Sequence, residues 1–447
     1  MNEAENELLT RTGPGTPCGE LMRRYWQPAA LSEELPPGAA PLPVQLFGEE
    51  LVLFRNDQGK LGLIELHCAH RGADLSYGRL EDGGIRCIYH GWLYDVNGKV
   101  IDMPGETDAG KSFRESICHK AYPVEERAGV IFAYMGPGKP PLIPNYGDLT
   151  VPLDHVYVTK IYQECNYLQG NEGNIDLMHL SYLHFNKYRD TGGPGVEPVK
   201  FSGQGGAPGG LETTEADLTD FGLRVCKTRK VGADKKYLRV GNFVMPNLSA
   251  PPGQFNGHEG YLMNWHVPID DTHHWKYIII FHRERPLNAE EQRRNRLELS
   301  EGYRPVRNKS NRYMQDRESM KDESYSGLGL VFQVQDVCVT EGAGAIQDRT
   351  KEHLVTSSDA AIVVARKLML KGIQDVEAGR DPQHVIRDPA ANNLSHLFAY
   401  SAVVAKDANW KDICNGIAAE ARAQKFRRTY SEAQATNGED LWMTFYV

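Results

Sequence analysis

No stretch of this 447-residue chain approaches the roughly 20 consecutive apolar residues needed to cross a bilayer. The opening MNEAENELLTRTGPG lacks the basic end and apolar run of a secretory signal, so a cytoplasmic protein is expected. Lys and Arg number 50 against 59 Asp and Glu. The resulting charge of −9, with no basic block, speaks against binding nucleic acid or an anionic membrane. Eight cysteines are too few for a disulfide framework in so long a chain. No GxGxxG opens a βαβ unit and no ferredoxin-type cysteine cluster is present, so no site for NAD(P)H or flavin is expected. Internal repeats and low-complexity tracts are also absent. What remains is ordinary: 40% hydrophobic and 24% charged residues exclude wholesale disorder, and the length suits two or three domains.

Residues 1–42 read as a leader with one helix around Glu20–Trp26, followed by Pro-rich turns. From Pro43 the pattern changes to short β-type runs such as VQLFGEELVLFRN, KLGLIEL and GVIFAYMG. Asp57-Gln58-Gly59, Asp82-Gly83-Gly84 and Asn97-Gly98 supply the turns, which predicts an all-β domain over 43–145. The Pro- and Gly-dense GPGKPPLIPNYGDLTVP marks a boundary, and 146–447 reads as a second domain. There a helical segment over Asn166–His184 precedes the strand-like runs LRVCKTRKV, KYLRVGNFVMP, GYLMNWHVPI and WKYIIIFHRER. Helices are predicted near Ala289–Glu301 and Ser358–Glu377. The fold class is therefore α+β, an all-β domain followed by a central antiparallel sheet flanked by helices. Thr191–Gly210, rich in Gly and Pro, reads as a loop, either gating a site or a plain surface insertion.

Two groups of residues carry chemistry. Cys68-Ala69-His70 is separated by sixteen residues from Cys87-Ile88-Tyr89-His90. Each half offers one thiolate and one imidazole at a turn between predicted strands. Such a set suits tetrahedral zinc or an iron–sulfur cluster. A Rieske centre needs this split, two Cys on one iron and two His on the other. His67 falls outside the spacing and is read as a non-ligand. The second group lies in NYLQGNEGNIDLMHLSYLH. Asp176 and His179, three apart, share a helix face, but His184 falls about 140° further around an ideal helix. The helix must distort or end if both imidazoles are to meet one metal.

Cys68-x-His70-Arg71-Gly72 and Cys87-x-Tyr89-His90-Gly91-Trp92 resemble the signature of the Rieske domain in ring-hydroxylating non-haem iron oxygenases. The opening GPGTPCGELMRRYWQPA and the segments VPIDD and QDRTKEHL point to the phthalate dioxygenase-like branch. The resemblance implies a Rieske [2Fe–2S] domain, then a helix-grip catalytic domain with a mononuclear Fe(II). It implies that Cys68, His70, Cys87 and His90 hold the cluster and that His179 and His184 bind iron. Asp176 then bridges to a cluster histidine of a neighbouring subunit. The third iron ligand it implies is Asp336, in VFQVQDVCVTEGAGAIQDRTKEHL, with Glu341 and Asp348 as fallbacks. Asp348-Arg349 reads more simply as a structural ion pair.

The implied activity is O₂-dependent hydroxylation of an aromatic carboxylic acid, as cis-dihydroxylation or, alternatively, O-demethylation of a methoxylated acid. Electrons must come from a separate NAD(P)H-dependent reductase, directly or through a ferredoxin. The working unit is a homo-oligomer, a trimer or hexamer. An Arg would bind the substrate carboxylate bidentately. Arg239 is the candidate, set against a plain surface Arg on an alternating strand; Asn242, Trp265 and His266 are further pocket candidates. The remaining cysteines, Cys18, Cys118, Cys165, Cys226, Cys338 and Cys414, read as buried or free thiols.

Overall fold

The computed structural model describes residues 1–107, 110–185, 212–253, 259–296, 298–329 and 331–423. The Thr191–Gly210 stretch lies outside the described residues. Among the described residues no helix is long and apolar enough to cross a membrane.

Asn2 opens the first helix, Glu3–Thr10, by accepting the Glu5 amide at 2.8 Å in a capping box. A second helix, Pro17–Met22, starts behind the Thr16 cap with Pro at its first position. It ends earlier than the expected Glu20–Trp26 span because Trp26 begins a strand. Trp26–Leu31 is buried throughout and pairs with Val130–Tyr134. Pro28 lacks an amide for the ladder, and the register shifts between Pro28 and Ala30.

The short runs that follow build two four-stranded antiparallel sheets. One holds Leu42–Leu46, Glu49–Arg55, Leu61–Glu65 and Ala121–Tyr122; the other holds Arg79–Glu81, Gly84–Arg86, Leu93–Tyr94 and Val100–Asp102. Val52, Phe54, Ile64, Ile85 and Tyr94 form a core of their own beside Cys68 and Cys87.

The second unit is α+β around an eight-stranded antiparallel sheet. Its path runs Val156–Gln163, His274–Phe281, Leu262–Pro268, Leu248–Ala250, Lys235–Val244, Gly222–Val231, Glu212–Leu218, and Tyr400–Ala405 joins it beside Lys235–Val240. The helix Tyr167–Ile175 lies on Leu262–Pro268, and Phe332–Gly342 packs on that helix. Gly170 permits the close approach: a Cβ there would sit 2.4 Å from His266 Nδ1 and 2.8 Å from His274 Nε2. The helix Ala360–Glu377 buries one stripe, Ala361, Ile362, Ala365, Met369 and Ile373, against the far strands and Pro17–Met22.

A buried ionic network ties these helices to the N-terminus. Arg349, fully buried, donates to Glu172 at 2.9 and 3.0 Å and to Asn6 at 3.2 Å. Arg366 reaches Glu172 at 2.5 Å and Glu352 at 2.6 Å. This corrects the Asp348-Arg349 pairing: Asp348 stays outside and meets Lys351 at 2.8 Å. Adjacent residues around a turn point apart, and burial selected the distant partner.

Candidate metal centres

The two cysteine loops are built by one recipe. Cys68 N donates to Ala73 O and Gly72 N to Cys68 O, both at 2.8 Å. Cys87 N donates to Trp92 O at 2.8 Å and Gly91 N to Cys87 O at 3.0 Å. In each loop the residue four beyond the cysteine is a glycine with positive φ, +73° at Gly72 and +77° at Gly91. Facing loops thus bury the two cysteines and leave the histidines outward, His70 exposed and His90 half-buried. The imidazoles meet with centroids 4.5 Å apart at 74°, and His70 stacks on Trp92 at 4.7 Å. Tyr94 accepts the Ala69 amide at 3.0 Å and has its hydroxyl 3.0 Å from Cys68 Sγ. Burial and the neighbouring Cys87 push the Cys68 thiol up, although Tyr94 acts against them. Cys68 without a ligand is therefore a neutral thiol, and a bound metal would be what draws off its proton. A tetrahedral zinc would gather its ligand atoms about 3.5 Å apart. A [2Fe–2S] cluster of the Rieske type instead divides two Cys and two His between two irons. His67 turns away to Gly72 O and Glu50.

The second centre is assembled from distant segments. The helix holding Asn166 as its cap ends at Ile175, with Asp176 as the extended C-cap. His179 then starts a 3₁₀ turn, His179–Ser181, and Leu183 N reaches back to His179 O at 2.8 Å. The expected break thus comes before Asp176, earlier than between the histidines. It swings His179 and His184 together, ring centroids 5.0 Å apart at 71°. Asp336 arrives from the helix Phe332–Gly342. One ligand atom from each of His179, His184 and Asp336 lies within 4.8 Å of the others.

The hydrogen bonds fix what these atoms offer. Gln335 Nε2 donates to Gly329 O at 2.6 Å, so Gln335 Oε1 is the atom 2.6 Å from His184 Nδ1. His184 therefore carries its proton on Nδ1 and presents a lone pair at Nε2. Burial holds His184 down to about 4, which keeps it neutral despite Asp336. Its Nε2 is buried without a hydrogen bond, yet Asp336 Oδ1 is 2.9 Å away. Two acceptors converge on one point, a contact that a bound cation would relieve. Burial opposes charge on Asp336, but the histidines and Lys276 hold it well below the usual carboxylate range. His179 turns Nε2 toward Asp336 Oδ1 and Nδ1 toward Asp176 Oδ2, each at 3.7 Å. Burial would lower His179, but Asp176 and Asp336 together outweigh it and raise its proton affinity. Two imidazoles and one carboxylate are the facial donor set of non-haem ferrous oxygenases.

The fallback acids lie elsewhere. Glu341 is taken by Tyr313 and the Glu164 amide. Of the pocket candidates, Arg239 is buried and donates to Pro252 O at 3.0 Å. It pairs in register with Lys227, whose ammonium bonds Leu177 O and Ser181 Oγ beside His179. Cross-strand partners share a face, so Arg239 looks toward the His179–His184 segment. His266 lies on that side too, bonded to Asn174 and His274. Asn242 and Trp265 face away, a correction. Asn242 bonds Ala250 O and Phe398 O, while Trp265 packs edge-on to Phe132 and Tyr146. Sequence reasoning missed Lys276, Lys227 and the roles of Gln335 and Tyr94. A single lysine in a strand that is otherwise mostly apolar, HWKYIIIF, was the available signal for Lys276.

The Rieske [2Fe–2S] domain model matches residues 25–122, and the LigXa C-terminal domain like model matches 133–433. The chain is 34% identical over 429 residues to the phthalate 4,5-dioxygenase oxygenase subunit of Pseudomonas putida, covering 92% of this chain and 94% of that one. It is 31% identical over 402 residues to the 5,5'-dehydrodivanillate O-demethylase oxygenase subunit of a Sphingobium species, covering 89% and 86%. The solved reduced complex between oxygenase and ferredoxin in carbazole 1,9a-dioxygenase shares the fold, with a TM-score of 0.51 at 22% identity over 86% of this chain and 99% of that one. The chain belongs to the Rieske non-haem iron ring-hydroxylating oxygenases, as an oxygenase (alpha) subunit of the phthalate dioxygenase-like branch. It is an oxidoreductase that incorporates O₂, and its cofactors are a Rieske [2Fe–2S] cluster and a mononuclear iron.

Proposed function

We propose that this oxygenase hydroxylates an aromatic carboxylic acid, as a cis-dihydroxylation, at an iron held by His179, His184 and Asp336. The observation that carries the reading is the convergence of His184 Nε2 and Asp336 Oδ1 on one buried point beside His179. Bound there, ferrous iron supplies O₂ activation, and the cluster held by Cys68, His70, Cys87 and His90 supplies single electrons.

The chain's own residues set the stage. Gln335 fixes the His184 tautomer. Asp176 uses Oδ1 to accept the Met178 amide at 2.7 Å and leaves Oδ2 beside His179. With its side chain 29% exposed, Asp176 is placed to bond His70 or His90 of a neighbouring copy, themselves at the surface. That link calls for a ring-like homo-oligomer, a trimer or a hexamer built from trimers. A separate NAD(P)H-dependent reductase, directly or through a ferredoxin, feeds the cluster in the cytoplasm. Arg239, buried on the face that Lys227 shares, offers the carboxylate its fork.

A second reading is O-demethylation of a methoxylated aromatic acid, favoured by the likeness to an O-demethylase subunit. Turnover of a panel of benzoates, phthalates and vanillate-like acids under ¹⁸O₂ with a surrogate reductase separates the two. Two labelled oxygens in a dihydrodiol support the first, and formaldehyde release supports the second. If no acid draws coupled O₂ uptake while neutral aromatics do, the substrate class is wrong.

A further inference from the structure

Asp336 is drawn in two directions. Oδ1 lies 2.9 Å from His184 Nε2 and 3.7 Å from His179 Nε2, whereas Oδ2 lies 3.4 Å from the Lys276 ammonium. Lys276 comes from the strand His274–Phe281, directly opposite His266 in the register. Its side chain is 3% exposed, so its charge is out of water and requires an anionic neighbour. Among the described residues, Asp336 is the one carboxylate at ion-pair distance from it.

We propose that Lys276 is a positioning residue that keeps Asp336 a one-oxygen ligand. It holds Oδ2 back, so that Oδ1 alone joins His179 and His184. This deepens the function proposed above and rests on the iron reading of that site. Carboxylates bind divalent ions through one oxygen or both. A site of two histidines and one carboxylate works through its open positions, and a chelating Asp336 would fill one of them. The ammonium opposes this twice: it engages the lone pairs of Oδ2, and it repels a cation drawn toward that oxygen. Hydrogen-bonded outer partners orient ligating side chains and tune the metal. The geometry also separates Lys276 from Lys227, whose bonds go to the backbone and hydroxyl of the His179 segment.

The test uses the full-length protein with its cluster intact and the mononuclear site saturated with Fe(II) under anaerobic conditions. Nitric oxide probes the open position, read by the iron–nitrosyl EPR signal. Lys276→Met should keep its iron but bind nitric oxide about tenfold more weakly or worse, with Lys276→Arg within about threefold of the parent. Parental affinity in Lys276→Met at full iron occupancy overturns the proposal. So does loss of iron from Lys276→Met with unchanged cluster absorbance, which would make Lys276 a determinant of affinity instead. If neither variant folds, a crystal structure of the iron-loaded parent decides: Oδ2 on the metal overturns the proposal, and Oδ2 on Lys276 supports it. A parent that binds no iron at His179, His184 and Asp336 sinks the iron reading itself, a different failure.

Discussion

The two cysteine–histidine loops and the His179, His184 and Asp336 group bring potential metal donors together by opposite means. Each cluster loop is closed by backbone bonds within five residues and one left-handed glycine. The iron site is closed by side chains, and Gln335, which orients His184, lies 151 residues from it. A local turn can be rebuilt wherever its sequence occurs. The iron site exists only when the sheet, the helix Tyr167–Ile175 and the helix Phe332–Gly342 are packed. The cluster should therefore survive disturbances of the second unit that the iron does not.

The largest effect is expected at the cluster. Cys87→Ala should bleach the protein, cutting iron from about three to about one per chain. If the mononuclear iron is lost as well, the two centres do not fold independently and the contrast fails. The converse substitution is Asp336→Ala, which should abolish turnover and keep the visible spectrum. Retained turnover would remove Asp336 from the ligand set.

Gln335→Leu tests the side-chain logic more finely. Without the acceptor at Nδ1, His184 can place its proton on Nε2 and lose the lone pair aimed at the metal. Iron affinity should fall about 10–100-fold, the usual cost of losing an outer partner. The cluster spectrum should not move. An unchanged Fe(II) dissociation constant would mean that Phe332, stacked 3.4 Å from the ring, orients His184 alone.

Legibility followed the same divide. Cys68, His70, Cys87 and His90 stand in two short motifs whose glycines are needed by the turns, so spacing marked them as a donor set, and the family resemblance, not the spacing, chose a cluster over zinc. His179 and His184 were readable as a pair, and the 140° mismatch foretold a break, but not its place. Asp176 ends the helix because its side chain serves the Met178 amide, a contact that no periodicity shows. Lys276 and the Arg349–Glu172 pair were hidden because burial, not adjacency, chose their partners. One error was avoidable. Trp265 and His266 are consecutive in a strand, and Arg239 and Asn242 are three apart, so neither pair can share a face.

The smallest expected effect is at Gly170, and its sign decides how stiff the iron site's foundation is. Gly170 lies inside the helix Tyr167–Ile175, where alanine is ordinarily favoured by about 1 kcal/mol. A Cβ there meets His266 Nδ1 at 2.4 Å and His274 Nε2 at 2.8 Å, too close to stand without movement. Neither ring can retreat cheaply. Asn174 Nδ2 donates to His266 Nε2, which leaves His266 Nδ1–H to donate to His274 Nε2 at 3.0 Å, and His274 donates in turn to Cys165 O at 2.7 Å. Overpacking of this kind costs roughly 1–3 kcal/mol and should exceed the helix gain. Gly170→Ala should then lower the melting temperature of the second unit by a few degrees, at about 2–4 °C per kcal/mol. The cluster spectrum should persist to the parental temperature. A raised melting temperature would show that the histidine chain yields, and that the helix bearing Asp176 is less firmly seated on the sheet than its contacts imply.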